Sequence, residues 1–376
     1  MRRELLYQSQ SLAVGPSPCT GQHFTSGNSG QNLIRELFRI EKYGNNFPIP
    51  KRDVIQLGQY AAFARVQVDA PTPTWEIEYY TNNGVNEQRM GFPIDGVTPM
   101  LSGILANTLD DHNYFGLIVS EGTDAMGDNN TDTQYVECLG NGYVNSIKWR
   151  AAVGDFGMTT VGIEGSNYVL YSGSTGNSVP SIDPNVGTAN TTWNFTFPEP
   201  AVSGDSPNMP TVLKYGDITM NLSGLNVGLG AIWTGTNAAH LQSFELTVPI
   251  TREAILQLGN KFPYGRVARG PINAQLSITA ILNELQTGSL LNLVNQCSVG
   301  EFAIGLNYNA CSGSTYANVF NINIVGASLD SESFSIGVGQ RKTVTANFTC
   351  PIGSWNDNNH QITLSGSHIG LLTGVL

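Results

Sequence analysis

The sequence predicts a mainly β protein made of two tandem antiparallel β-sandwich or partly open barrel modules, each with one short α-helix. Three observations predict it. Charged residues are only 12% of the chain and Gly fills 42 of its 376 positions, against averages of about 25% and about 7%, which excludes a coiled coil or a charge-rich bundle. Apolar and polar residues alternate over short runs at the two-residue period of a half-buried strand. Finally, one stretch of the first half recurs in the second, and 40% hydrophobic residues are enough to fill a core.

The recurrence organises the chain. A shift of 201 positions lays residues 47–66 over residues 248–267 with seven identities: Pro48, Ile49, Gln56, Leu57, Gly58, Arg65 and Val66 over Pro249, Ile250, Gln257, Leu258, Gly259, Arg266 and Val267. Chance gives about one at ordinary residue frequencies. A second match, at an offset of 185, lays Thr159, Val161 and Ile163 over Val344, Ala346 and Phe348. The difference, 201 − 185 = 16, puts sixteen extra residues between the two matches of the first half. The expected modules are residues 1–197 and 211–376, joined by a linker, 198–210, in which Pro198, Pro200, Pro207 and Pro210 block regular structure.

The elements follow in order. In the first module Lys51 to Gln56, ended by Gly58, reads as the short helix, and Trp75-Glu76-Ile77-Glu78-Tyr79 as a strand with one face on the core. Around residues 95–137 lies an acidic insertion. No Lys or Arg occurs between Arg89 and Lys148, whereas Asp95, Asp110, Asp111, Glu121, Asp124, Asp128, Asp132 and Glu137 do. Residues 143–150 and 153–163 read as strands around a Gly-containing turn. In the second module Phe244-Glu245-Leu246-Thr247-Val248 is a strand, Thr251 caps a helix that carries Glu253 in its first turn, and Gly259 ends it in a left-handed conformation. Leu276-Ser277-Ile278-Thr279-Ala280, residues 320–325 and residues 338–348 complete the strands.

Charge and motif searches exclude several functions. A net charge of −11 from 18 basic and 29 acidic residues opposes nucleic-acid binding by counterion release. Nine of those net charges fall in residues 1–200, which hold 11 basic and 20 acidic residues. Cys19, Cys138, Cys297, Cys311 and Cys350 form no CxxC pair, and the five histidines are scattered, which supports neither a zinc site nor a disulfide framework. Asp128-Asn129-Asn130-Thr131-Asp132 lacks the Gly and the distal Glu of a calcium loop. Glu76 and Glu78 lie two apart on one strand face with no cleft marked around them, which is a polar face rather than an acid/base pair. No catalytic group, cofactor or metal ligand is expected. The start of the chain shows no apolar run of signal-peptide length and no stretch spans a membrane.

The repeated segments carry a resemblance. Gln242 to Glu253, followed by Leu258-Gly259-Asn260-Lys261-Phe262-Pro263-Tyr264-Gly265-Arg266, resemble the tail tube (major tail) proteins of tailed bacteriophages. Thr74 to Glu87 and Tyr143 to Gly165 are similar to the strand-and-loop and late hairpin of that family. Ala61-Ala62-Phe63 departs from the family's Pro-Tyr turn. The resemblance implies a structural, non-enzymatic virion protein made in the host cytoplasm, whose inner sheets merge into a barrel around a lumen. Two fused modules imply homotrimeric pseudo-hexameric rings, with a hexamer as the alternative, stacked into a conduit for double-stranded DNA. Tape measure, tail terminator and baseplate or tail-tip proteins are the implied partners, with a sheath in contractile tails and no membrane. An acidic lumen would repel phosphate, and Glu76 and Glu78 are the candidate lumen-facing carboxylates. The competing expectation is a carbohydrate-binding or adhesin-like tandem β-sandwich using Trp193, Trp233 and Trp355 as sugar-stacking faces.

Overall fold

A computed structural model describes residues 10–16, 35–105, 111–119, 134–174, 178–180, 192–194, 218–223, 239–259, 262–263, 265–283, 302–312, 315–339, 341–353, 357 and 359–366. The first strands are β1 (Gln10–Pro16), β2 (Arg35–Glu36), β3 (Ile40–Asn46), β4 (Lys51–Val54), β5 (Ala64–Gln67) and β6 (Thr74–Tyr80). Then come α1 (Val85–Arg89), β7 (Asp95–Pro99), α2 (Ser102–Leu105), β8 (Asp111–Val119), β9 (Gln134–Ala152), β10 (Met158–Glu164) and β11 (Asn167–Ser174). β12 (Ser178–Pro180) and β13 (Thr192–Asn194) form a small hairpin. The second half holds β14 (Ile218–Ser223), β15 (His240–Pro249), β16 (Arg252–Ile255), β17 (Gly265–Ala268), β18 (Ile272–Ile281), β19 (Phe302–Ser312), β20 (Thr315–Ser335), β21 (Thr343–Ile352) and β22 (Gln361–Gly366). The fold is mainly β and antiparallel, as expected.

Eight strands form one inner sheet in the order β20-β21-β18-β15-β9-β10-β6-β3. Its first four strands come from the second half of the chain and its last four from the first. The order within each four is the same: a long strand, its hairpin partner, an inner strand, then the strand that leads into an arm. Registers agree as well. Tyr43 faces Ile77 and Gly44 faces Glu76, with an irregularity between Ile40 and Lys42. Adding 201 gives Phe244 facing Ile278 and Glu245 facing Ser277, with an irregularity between Leu241 and Ser243. Gly162 faces Ser146 and Ile163 faces Val144 across a bulge; adding 185 gives Asn347 facing Ser331 and Phe348 facing Leu329 across another.

β9 and β20, 19 and 21 residues long, each serve two layers. Their first halves pair with β8 and β11, and with β19 and β22, in an outer layer, and their second halves enter the inner sheet. Each contains a residue in the left-handed region between the two layers, Asn141 at φ 49° and Gly326 at φ 83°, again 185 apart. Asn and Gly tolerate that conformation best. At Gly326 the space is closed too, because an added Cβ would lie 2.5 Å from the Asn359 carbonyl oxygen. Between the layers lies one continuous core containing Trp75, Ile77, Tyr79, Ile147, Trp149, Leu246, Val248, Ile278, Phe320 and Phe348, which buries apolar area from both halves together.

The segment after β6 is built into this core. Met90, Phe92, Ile94, Met100, Leu101 and Ile104 are buried, and β7 pairs with β22. The described part of the expected acidic insertion is therefore ordered, and Asp95 accepts the Val97 and Thr98 backbone N–H groups of its own turn. Residues 120–133, with the Asp128–Asp132 motif, lie outside the described residues, as does the 198–210 linker.

The expected helices are a correction. Lys51–Val54 and Arg252–Ile255 are strands, each paired with β5 or β17 as a two-stranded arm outside the main sheet. Among the described residues two short helices occur, both in the segment after β6. A helix of six or seven residues pays the nucleation cost with little propagation to offset it, whereas the hairpin pairs each segment with the strand that follows. Gly58 and Gly259 do take positive φ, 87° and 91°. Gly58 does so as the third residue of the Gln56–Gln59 turn, closed by a Gln59 N–H to Gln56 carbonyl bond, not as a helix cap.

Candidate functional site

Strand alternation gives the inner sheet one core face and one polar face. Glu76 and Glu78 both lie on the polar face, Glu76 exposed and Glu78 half-buried. They share it with Lys42, Thr160, Lys148, Arg150, Glu245 and, across the second half, Gln275, Ser277, Thr279, Thr345, Asn347, Ser331, Ser333 and Ser335. Arg150 pairs with Glu78, and Lys148 Nζ lies 2.8 Å from Glu245 Oε1. The chain's acidity is thus not gathered on this face: Glu78 and Glu245 stand beside cations, and the second half contributes hydroxyls and amides.

The junction where β15 meets β9 shows how one half recognises the other. Seven residue pairs join the strands, from Ser243 facing Ala152 to Pro249 facing Ser146. Val248 and Ile250 are fully buried there, and the Ile250 N–H continues the ladder to the Asn145 carbonyl at 2.7 Å. The β16–β17 arm then folds over the first half. Arg252 donates to the Val144 carbonyl at 3.0 and 2.8 Å, its guanidinium lying over the Tyr143 ring. Arg266, only 5% exposed, reaches Glu164 Oε2 at 3.0 Å and donates to the Gly165 carbonyl. Burial pulls the Arg266 pKa down and Glu164 counters it, so the pair is held by proximity at a partly dry site.

At the two ends of the inner sheet the corresponding surfaces are uncovered. Among the described residues β3 pairs only with β6, and the inner half of β20 only with β21. Ile49 is 56% exposed where Ile250 is 0%, and Phe47 is 51% where Val248 is 0%. The Arg65 side chain is 71% exposed, holding Asp53 of its own arm at 3.1 Å. Asn45, at the position of buried Leu246, hydrogen-bonds Glu137 and Tyr168 instead, and burial raises the Glu137 pKa. The sequence repeat thus identifies matched residues but not their contrast in burial.

The remaining repeat residues shape the arms. Pro48 and Pro249 are exposed at the entries, and Gln56-Leu57-Gly58 and Gln257-Leu258-Gly259 are exposed at the turns. Tyr60 and Phe63 add further exposed apolar surface to the first arm, and Leu256 to the second. The opposite ends of the strands carry a second exposed apolar set, Val153, Phe156, Ile336 and Val338, on the β9–β10 and β20–β21 turns. Trp75 and Trp149 are buried, while the Trp193 side chain, Trp233 and Trp355 lie outside the described residues. Cys138 and Cys350 are buried.

One buried group escaped the sequence reading. Glu87, in α1, sits wholly beneath the inner sheet and accepts from Trp149 Nε1 at 3.3 Å. Burial raises its pKa. Nothing in its sequence surroundings marks it, because the strand above it is distant in the chain.

Among the described residues no helix is long and apolar enough to cross a membrane, and no cluster of three or more His, Cys, Asp or Glu could hold a metal. No family model matches the chain, and no curated protein matches it.

Proposed function

We propose that this chain is a structural subunit that closes into rings and stacks into a tube, as the resemblance to tailed-bacteriophage tail tube proteins implies, and that its two halves are duplicated modules. The observation that carries the reading is the inner sheet. The same four-strand order occurs twice in the same sense, joined by β15 on β9, so the sheet ends in two edges of the kinds that meet at its centre. A head-to-tail contact of this kind repeats until the rotation closes, and closure also removes exposed strand edges.

Eight strands per chain and three chains give twenty-four strands. At about 4.8 Å per strand the backbone diameter is on the order of 37 Å before strand tilt widens it, enough for a DNA duplex with inward side chains in place. Two chains would give roughly 24 Å, which inward side chains would narrow below a duplex. The polar face, with Glu76 and Glu78, lines the lumen in this reading. Its mixed charges and hydroxyls offer phosphate no continuous cationic track. The apolar arm turns and the apolar strand turns occupy opposite rims, where stacked rings would bury them. Passage of DNA, a tape measure protein inside and terminator and baseplate proteins at the ends follow from the resemblance.

Negative-stain microscopy of the purified chain tests this. The expected result is rings or tubes whose end views have three chains and pseudo-sixfold symmetry. A persistent monomer that never enters a particle would overturn the reading, and six chains per ring would overturn the trimer alone.

A further inference from the structure

We infer that the β3 edge and β4–β5 arm of one copy dock on the β20 edge of a second copy in one register, sealed by an ion pair between Arg65 and Asp330 of the second copy. The inference rests on the ring reading and deepens it by naming the surface. Its template is the internal junction. The registers within each half superpose at offsets of 201 for β3, β6, β15 and β18, and of 185 for β9, β10, β20 and β21. Carrying the β15–β9 pairs by those offsets sets Tyr43 against Ile336, Asn45 against Phe334, Asn46 against Ser333 and Pro48 against Ser331.

The same transfer places the arm. The Ile250 N–H to Asn145 carbonyl bond becomes Ile49 to Asp330, and Lys51 takes the place of Arg252 at the Leu329 carbonyl. Arg65 takes the place of buried Arg266. At the internal junction the acceptor is Glu164, whose other oxygen receives the Asn145 amide at 3.3 Å. On the β20 edge the corresponding residues are Thr349 and Asp330, and they too touch, the Thr349 hydroxyl donating to Asp330. The carboxylate has moved from one strand of the pair to the other but stays at the same spot. A carboxylate beside a backbone carbonyl is what a guanidinium from the arm needs. Exposure agrees: Ile49, Phe47 and Arg65 are uncovered in the single chain, while Ile250, Val248 and Arg266 are covered.

Cysteine cross-linking of the full-length chain tests the register. β3 and β20 lie seven strand spacings apart, on the order of 34 Å along the sheet, so a disulfide between Asn46→Cys and Ser333→Cys within one chain is excluded by the ~7 Å Cα limit. Oxidation should therefore link separate chains, with a covalent trimer as the largest product and the wild type unlinked. Pairing Asn46→Cys with Ser335→Cys, a two-residue slip that keeps the face, should link at least about tenfold more slowly. In parallel, Arg65→Glu or Asp330→Lys should each lower assembly about tenfold or more, and the double exchange should restore it to within about threefold. Both side chains are exposed in the single chain, so far-ultraviolet circular dichroism should stay unchanged.

Rings that form but link best at Ser335→Cys, or not at all, would overturn this register and leave the ring reading standing. No rings together with no cross-link would overturn both. Linked ladders longer than three would support the edge contact and overturn three-chain closure. Failure of the charge exchange to restore assembly would overturn the ion pair.

Discussion

Ile49 and Ile250 occupy the same position of the same repeated Pro-Ile step, yet one is 56% exposed and the other 0%, so truncating each to Ala should affect different quantities. Ile250→Ala empties a space in the core at the β15–β9 junction. Large-to-small changes at such sites cost about 2–5 kcal/mol, from lost transfer free energy plus the cavity. Ile49→Ala in the single chain loses part of a half-covered side chain and opens no cavity, which limits the cost to about 1 kcal/mol. Assembly reverses the order of interest. If a second copy covers Ile49 as the first half covers Ile250, about 2–4 kcal/mol per contact is lost, roughly 30- to 800-fold in association. Urea unfolding of dilute chains and sedimentation of concentrated ones read the two effects separately. Ile250→Ala should lower the urea midpoint by roughly 0.5–1.5 M, with Ile49→Ala close to wild type in urea but defective in sedimentation. Equal destabilisation of the single chain by both, or unimpaired assembly of Ile49→Ala, would refute the reasoning.

Glu87→Gln should change how stability depends on pH. Burial raises the Glu87 pKa, so the folded state favours the protonated acid. Its contribution is fully present below the ordinary carboxylate value and is lost as pH rises through the raised one. The wild type should therefore lose stability relative to Glu87→Gln as pH rises above the ordinary carboxylate range, and parallel melting curves across that rise would contradict the assignment. Gly326→Ala should cost at least about 2 kcal/mol from its positive φ and the nearby Asn359 carbonyl, read as a lower calorimetric midpoint; an unchanged midpoint would show that β20 turns without strain. Replacing Glu76 and Glu78 together with Lys removes the Arg150 partner and makes the polar face cationic. In the tube reading, rings still form but DNA release slows, and unchanged infectivity would show that this face does not line the lumen.

Local chemistry was legible in the chain. Alternation identifies Trp75 to Tyr79, Phe244 to Val248 and Leu276 to Ala280 as strands because side chains on opposite faces meet different solvents. The repeat is legible because Pro48-Ile49 and Gln56-Leu57-Gly58, with their partners, shape the same entry and turn. The left-handed glycines at 58 and 259 follow from the missing Cβ. The arms read as helices in the sequence because Lys51 to Gln56 and Thr251 to Gly259 carry helix-end chemistry, whereas their pairing partners, 64–67 and 265–268, lie beyond the turn and exert no local signal. Glu87 was invisible for the same reason, since only the folded sheet sets Trp149 above it.

The sequence by itself determined the class of fold, the matched positions of the two halves and the acidity of the first. Strand order, which edges stay open, and which member of each matched pair is buried were decided by tertiary structure alone. Arg65 and Arg266 make the point: the repeat aligns them, but one reaches solvent and the other Glu164. Similar local sequence cannot carry that difference, because burial depends on what packs from elsewhere: β9 and Glu164 lie against β15 and its arm, and among the described strands none pairs with the corresponding edge of β3.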